Sequence, residues 1–328
     1  MTTFHYTSSL ASLIEGLIQQ KRAIGYSYRG EARILYHFDQ FIHNQGWTTP
    51  TLEKPVVEAW TQRRSHEAHA TWRHRCSPVR QLALYMRDLG IPAYVLPTGQ
   101  VSKGSPYIPH IYSDAELVAF FRQVDACRYQ AEAPYRHWTL PLLFRVLYGT
   151  GMRLSEALHL RLEDVDDQAG IVTVRDGKFH KDRLLPMAES LRQQLVAYRQ
   201  QVHRLSLPDT IYFLGGPDRP LTGGNVYKNF RRFLWRAGIS HGGWSKGPRV
   251  HDFRHTYSVH CLRRWVREGQ DVTAALPLLK TYLGHYSFRD TAHYLRLTAE
   301  LYPDIVLRME ETVGHVLPPV GGEGHQAD

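Results

Sequence analysis

Val250-His251-Asp252-Phe253-Arg254-His255-Thr256, then Leu283-Gly284-His285-Tyr286, then Thr291-Ala292-His293-Tyr294-Leu295: these three pieces of the stretch 250–297 decide how the chain reads. His251 and Arg254 share one face of a helix that runs from His251 to about Arg267. Leu276 to Tyr282 predicts a second helix, Leu283-Gly284-His285 a tight turn, and the residues through Tyr294 a third. Two histidines, an arginine and a later tyrosine in this arrangement suit attack by a phenol on a phosphodiester.

Upstream, Trp138 to Tyr148 is a strongly apolar helix that ends at Gly149. Thr150-Gly151-Met152-Arg153-Leu154-Ser155-Glu156 follows, and Gly149 and Gly151 let the backbone turn sharply. Arg153 is expected in the first turn of a new helix with its guanidinium free to face a groove. Glu156, one turn on, is able to hold it in place. Ile171 to Arg175 and Arg183 to Pro186 read as two strands joined across Gly177-Lys178-Phe179-His180-Lys181. Glu189 to about Leu205 and Thr222 to Ala237 are amphipathic helices. The second interleaves Lys228, Arg231, Arg232 and Arg236 with Tyr227, Phe230, Phe233 and Trp235, a pattern that suits one face in a core and one against phosphates, although core packing explains the aromatics equally well.

The N-terminal region carries four helical patterns: Leu10, Leu13, Ile14, Leu17 and Ile18; Ile34, Leu35, Phe38, Phe41 and Ile42; Pro55 to about Arg64; and Thr71 to Leu89, closed by Gly90 and Pro92. Residues 5–95 thus predict a small helical bundle. Its last two helices bear Arg63, Arg64, Arg73, Arg75 and Arg80, which read as phosphate contacts or as an ordinary solvated face. From Pro97 to Pro109 proline, glycine and serine replace the periodic pattern, which marks a linker. Ser113-Asp114-Ala115-Glu116 then has the form of a helix start with a reciprocal cap.

The totals agree with two domains, because 328 residues are long for one core. Lys and Arg number 40 against 31 Asp and Glu, a formal +9, which favours a polyanionic partner. The first 100 residues hold 11 basic and seven acidic side chains, +4 of that total, so the charge is spread as in a clamp and not gathered in a tail. Cys76, Cys127 and Cys261 are too few and scattered for a disulfide framework or a four-cysteine zinc site. No apolar run reaches the roughly 18 residues of a membrane span, and a soluble, cytoplasmic protein is expected. His251 and His255 are four apart, as a metal pair would be, but no Glu or Cys completes a ligand set, so neither a metal nor a cofactor is expected.

The boxes Thr-Gly-Met-Arg153-Leu-Ser-Glu156, His251-x-x-Arg254-His255-Thr and Leu-Gly-His285, with Tyr294 nine residues after the last, resemble the tyrosine recombinase (phage integrase) family in order and spacing. The resemblance covers about 112–312, and the N-terminal bundle is similar to that family's core-binding domain. It implies a fold that is mainly α with a small antiparallel β-sheet. A SAM-like helical domain over 1–96, a linker over 97–112, an α+β catalytic domain over 113–315 and a disordered tail over 316–328 would make up the chain.

The resemblance also assigns roles. Arg153 and Arg254 would hold the non-bridging oxygens of a DNA phosphodiester with bidentate guanidinium forks. Tyr294 would attack, with His251 handling its proton and His285 donating to the phosphate; Glu156 and His255 would support them. Lys178 matches the first lysine of the family's hairpin and would protonate the departing 5′ oxygen. Phe179 replaces the usual glycine there, so Lys181 stays open as the acid or as a DNA contact, alongside Lys228, Arg231 and Arg232. Tyr286 and Tyr302 are alternative nucleophiles. The implied partner is duplex DNA, worked on by a tetramer of this chain or with sister recombinases, for an enzyme encoded on a mobile element. A type IB topoisomerase or telomere resolvase, and a non-catalytic DNA-binding subunit of the same fold, are the rival readings.

Overall fold

In the computed structural model the described residues are 4–97, 99, 107–175, 182–204, 210–215, 220–242, 247–285 and 287–301. Lys178, Lys181, Tyr286, Tyr302 and the tail over 316–328 lie outside them. The chain divides into two compact units, Met1–Ile108 and Pro109–Asp328.

Among the described residues the first unit has four helices, α1 (Ala11–Ala23), α2 (Arg29–Asn44), α3 (Lys54–Thr61) and α4 (His69–Asp88). Apolar residues three and four apart put Leu10, Ile14, Leu17, Leu35, Phe38, Ile42, Val79, Leu82 and Met86 into one core, each at most 1% exposed. Asp39 is fully buried, yet its carboxylate accepts from the backbone N–H groups of Thr7 and Ser8 at 2.8 and 2.9 Å, which fastens the N-terminal segment to α2.

Helix α3 stops at Thr61, three residues short of the expected Arg64, because side chains of α4 take its last carbonyls. Arg75 donates to the carbonyls of Trp60 and Gln62, and the Trp72 indole N–H to that of Thr61 at 2.6 Å. Arg75 does not stand on the solvated face that its sequence neighbours suggested: it is 8% exposed and its guanidinium grips the Glu67 carboxylate at 2.7 Å. The Glu67 carboxyl is held below its ordinary range, chiefly by that hydrogen bond. Replacing Arg75 by Ala would strand the Glu67 charge and the end of α3, and should destabilise the first unit by about 3 kcal/mol. Thermal melting of the variant checks this, and an unchanged melting temperature would return Arg75 to the surface contacts.

The second unit is mostly helical with one small sheet: α5 (Asp114–Asp125), α6 (Arg136–Thr150), α7 (Leu154–Leu158), β1 (Val165–Asp166), β2 (Ile171–Val174), β3 (Arg183–Pro186), α8 (Glu189–Val202), α9 (Gly223–Arg236), α10 (Asp252–Arg267), α11 (Val272–Leu283) and α12 (Phe288–Leu301). The strands run antiparallel in the order β1-β2-β3, with Val172 opposite Leu185. Ser113 and Glu116 close the reciprocal cap of α5 as read. Strand β1 escaped the sequence reading because two residues carry no alternation to detect. Gly149 does not end α6; the helix runs on to Thr150, and it is Gly151, at φ 61°, that reverses the chain. A Cβ on Gly151 would sit 2.6 Å from the Tyr257 ring, so glycine is needed there twice over.

Aromatic rings fill the main core of this unit. Phe253 stacks on Tyr112 at 5.0 Å and meets Phe120, Phe144 and Phe230 at 5.2, 5.9 and 5.9 Å. Since Phe253 adjoins Arg254, its seat in the core fixes the first turn of α10 and with it the direction of the arginine. A smaller core of Val259, Leu262, Leu276, Leu279, Leu283, Tyr294 and Leu297 joins α10, α11 and α12.

Candidate active site

Three guanidiniums meet the C-terminal ends of α6 and α11. Arg254, 2% exposed, donates to the carbonyl oxygen of Gly151 at 2.8 Å and to that of Leu283 at 2.5 Å. Arg153 caps α7 from an extended conformation and reaches the Gly284 carbonyl at 3.3 Å. Arg183, at the start of β3, donates to the Tyr282 carbonyl at 2.9 Å. Helix C-termini carry partial negative charge, so they keep cations in place.

Glu156 ties two of these cations together. Its carboxylate accepts from Arg153 at 2.8 Å and from Arg183 at 3.1 and 2.7 Å, and also from the Arg153 backbone N–H at 2.7 Å. Burial alone would raise its pKa, but the bonds from Arg183 and Arg153 outweigh that and bring it to about 2. Glu156 thus holds Arg153 in place, as the sequence allowed, while leaving its guanidinium less free than a helix-surface arginine. Arg183 had been given no role; the signal available was its place as the terminal arginine of the lysine-bearing hairpin motif. Its guanidinium also explains Gly284, where a Cβ would lie 3.2 Å from Arg183 and where φ is 66°.

Histidines surround the tyrosine. The Tyr294 hydroxyl lies 3.1 Å from Nδ1 of His255, and the rings of His255 and His251 are 4.9 Å apart, edge to face. His285 lies nearly parallel to the Tyr294 ring at 5.9 Å, with its Nδ1 2.9 Å from the Thr291 hydroxyl. His293 is exposed. Burial pushes the Tyr294 phenol up, and the Arg254 guanidinium pulls against it. Burial pushes His255 down to about 3, with His251 and Arg254 adding to it. The protein packed about His251, then Arg254 and Arg153, bring that imidazole down to about 4 even though part of its surface meets solvent. Both imidazoles are neutral at pH 7. Among the described residues, no three His, Cys, Asp or Glu side chains gather as a metal site would require.

These shifts set a pH dependence of stability. His255 and His260, the latter lowered to about 4 mainly by burial, are neutral when folded but protonate near 6.5 when unfolded. The unfolded chain therefore binds more protons between about 6.5 and 4, and stability falls as pH falls through that window. Glu156 adds a second loss from about 4.5 down to 2. Melting temperature should decline from pH 7 to 5 and more steeply below; a flat profile from pH 7 to 4 would contradict the burial of these groups.

The cations proposed for DNA contact divide. Arg63, Arg64 and Arg73 are exposed on the first unit, whereas Arg80 is half-buried and donates to the Leu96 carbonyl at 2.9 Å. Lys228, Arg231 and Arg232 are exposed along α9, while Phe230 and Phe233 between them are fully buried.

The pattern of the Phage integrase family matches residues 122–300. A Sinorhizobium fredii (strain NBRC 101917 / NGR234) protein carrying the provisional description integrase/recombinase y4rB is 31% identical over 309 residues, which span 92% of this chain and 98% of that protein. The chain belongs to the phage integrase family. By that membership this integrase is a tyrosine-type site-specific recombinase, an enzyme that cuts and rejoins DNA strands. Tyrosine recombinase XerA of Pyrococcus furiosus (strain ATCC 43587 / DSM 3638 / JCM 8422 / Vc1) is 32% identical over 178 residues, 53% of the integrase and 56% of XerA. Two solved structures share the integrase fold. XerH recombinase bound to its difH substrate matches with a TM-score of 0.60 at 19% identity, over 88% of this chain and 82% of that one. A lambda integrase fragment, a dimer on a COC′ core site, matches with 0.58 at 15%, over 85% and 96%.

Proposed function

We propose that Tyr294 is the nucleophile of this recombinase and that Arg153, Arg254, His251, His255 and His285 form its phosphate site. The observation that carries this is the buried phenol of Tyr294, hydrogen-bonded to a neutral imidazole and beside a guanidinium. Substitution at a phosphodiester gathers negative charge on the non-bridging oxygens, and the forks of Arg153 and Arg254 with an N–H of His285 are suited to bind it. The Tyr294 oxygen bonds to phosphorus, the bond to the 5′ oxygen breaks, and Lys178 protonates that oxygen. A 3′-phosphotyrosyl bond conserves the energy of the phosphodiester, so rejoining to another strand needs neither ATP nor a metal.

For binding, the first unit and, in the second, α9 would each contact duplex DNA. Arg63, Arg64, Arg73, Lys228, Arg231 and Arg232 are exposed cations able to meet phosphates, and Lys181 joins them in sequence. The working form would be a tetramer on two DNA sites, encoded on a mobile element and acting in the cytoplasm. No helix among the described residues is long and apolar enough to cross a membrane.

The test uses nicked duplexes with random cores. Adducts that survive denaturation are recovered, their DNA sequenced, and the phosphate mapped to a peptide by mass spectrometry. The expected attachment is Tyr294. Attachment at Tyr286 or Tyr302, or no adduct from any duplex, would overturn the reading.

A further inference from the structure

We propose that His255 is a catalytic residue in its own right, the immediate acceptor of the Tyr294 phenolic proton. The inference rests on Tyr294 being the nucleophile and adds to that reading the atom that activates it. From sequence, the proton handler was His251 and His255 a supporting neighbour. Among the described residues, however, it is the His255 ring nitrogen, and not that of His251, that lies within hydrogen-bonding distance of the Tyr294 hydroxyl, at 3.1 Å.

Helix geometry accounts for the difference. His251 precedes α10 and His255 lies one turn inside it, where the small core of α10, α11 and α12 buries Tyr294. His285 presents its ring to the tyrosine but turns Nδ1 to the Thr291 hydroxyl at 2.9 Å. The groups facing His255 are His251, Arg254, His293 and His285, which together with burial keep its ring neutral and able to accept; the negative charge of the phosphodiester would offset them as the imidazolium forms. For the phenol to donate to Nδ1, the neutral ring must carry its own hydrogen on Nε2.

The step balances. The phenolic O–H proton moves to Nδ1 of His255 and gives an imidazolium with a hydrogen on each nitrogen. The oxygen's electron pair forms the O–P bond, and the P–O5′ pair departs with the 5′ oxygen, which takes a proton from Lys178. In rejoining, the 5′ hydroxyl attacks and gives its proton back to Lys178, the tyrosyl oxygen leaves, and His255 returns the proton to it. His251, edge-on to His255 at 4.9 Å, faces the same cluster of guanidiniums and keeps its place beside the phosphate.

His255→Asn keeps a polar atom near the Nδ1 position without its basicity. Single-turnover cleavage would be measured on a duplex recovered as above and on its twin with sulfur as the bridging 5′ leaving atom, which needs no general acid. His255→Asn is expected to cleave both about 100- to 10,000-fold more slowly at pH 7, with the defect shrinking about tenfold per pH unit as the phenol ionises unaided. Lys178→Ala should be slow on the oxygen duplex only. The inference is overturned if His255→Asn cleaves within about threefold of the wild type at pH 7, if its deficit is the same at every pH, or if pH recovery belongs to His251→Asn instead. His255→Gln serves as the second variant should the first fail to fold, with the same expected outcome. A wild-type protein that gives no Tyr294 adduct sinks the nucleophile assignment as well; a wild-type adduct with an undiminished His255→Asn sinks this inference alone.

Discussion

Tyr294→Phe forms no covalent adduct on any duplex that traps the wild type, and still binds DNA and folds. The substitution removes one oxygen from a side chain that is 2% exposed and otherwise conserves its volume against Leu276, Leu283 and Leu297. What is lost on the folding side is one hydrogen bond to His255, worth about 1 kcal/mol, partly offset because the variant no longer buries a hydroxyl. On the chemical side the whole covalent route goes, since among the described residues it is the Tyr294 hydroxyl that lies within hydrogen-bonding distance of the His255 ring. Adduct formation is read on denaturing gels, binding by gel shift and folding by thermal melting. Adduct persisting in the variant would mean that another side chain attacks.

Arg254→Lys should lower cleavage about 1,000-fold and also destabilise the second unit by about 1–3 kcal/mol. Charge is conserved, so a site that needed only a cation would tolerate the change. The fork is not conserved: Arg254 serves the carbonyls of Gly151 and Leu283 at once, 103 and 29 residues away in sequence, and a lysine head cannot span both in that geometry. Burial brings the Arg254 guanidinium down to about 10, which leaves it charged at pH 7 and sets the cost of putting a still more readily neutralised lysine in its place. Single-turnover rate and melting temperature should fall together. A lysine variant that cleaves within tenfold of the wild type would reduce Arg254 to a point charge.

Residues that belong to short motifs were legible in advance. Arg153, Arg254 and Tyr294 stand in boxes whose local spacing is visible in one dimension, and the helices that carry them have apolar residues at three- and four-residue intervals. The pairings between boxes were not legible. Arg183 meets Glu156 across 27 residues and Tyr294 meets His255 across 39, and neither pair shares an element whose period could announce it. Arg75 misled for a related reason: in sequence it matches Arg73 and Arg80, and only the packing of α4 on α3 gives it a buried partner and two carbonyls. Gly149 and Gly151 likewise look alike in sequence. One is helical, with an added Cβ there falling 3.1 Å from Leu191, and the other takes a positive φ.

The carbonyls that meet Arg254, Arg153 and Arg183 have a consequence for how DNA is received. Because the ends of two helices already supply the opposing dipoles, the cluster needs no bound anion to stop its like charges from flying apart. The reorganisation that a flexible basic patch would undergo at each encounter is settled once, when the chain folds. An arriving strand then meets guanidiniums whose mutual repulsion the protein has already offset.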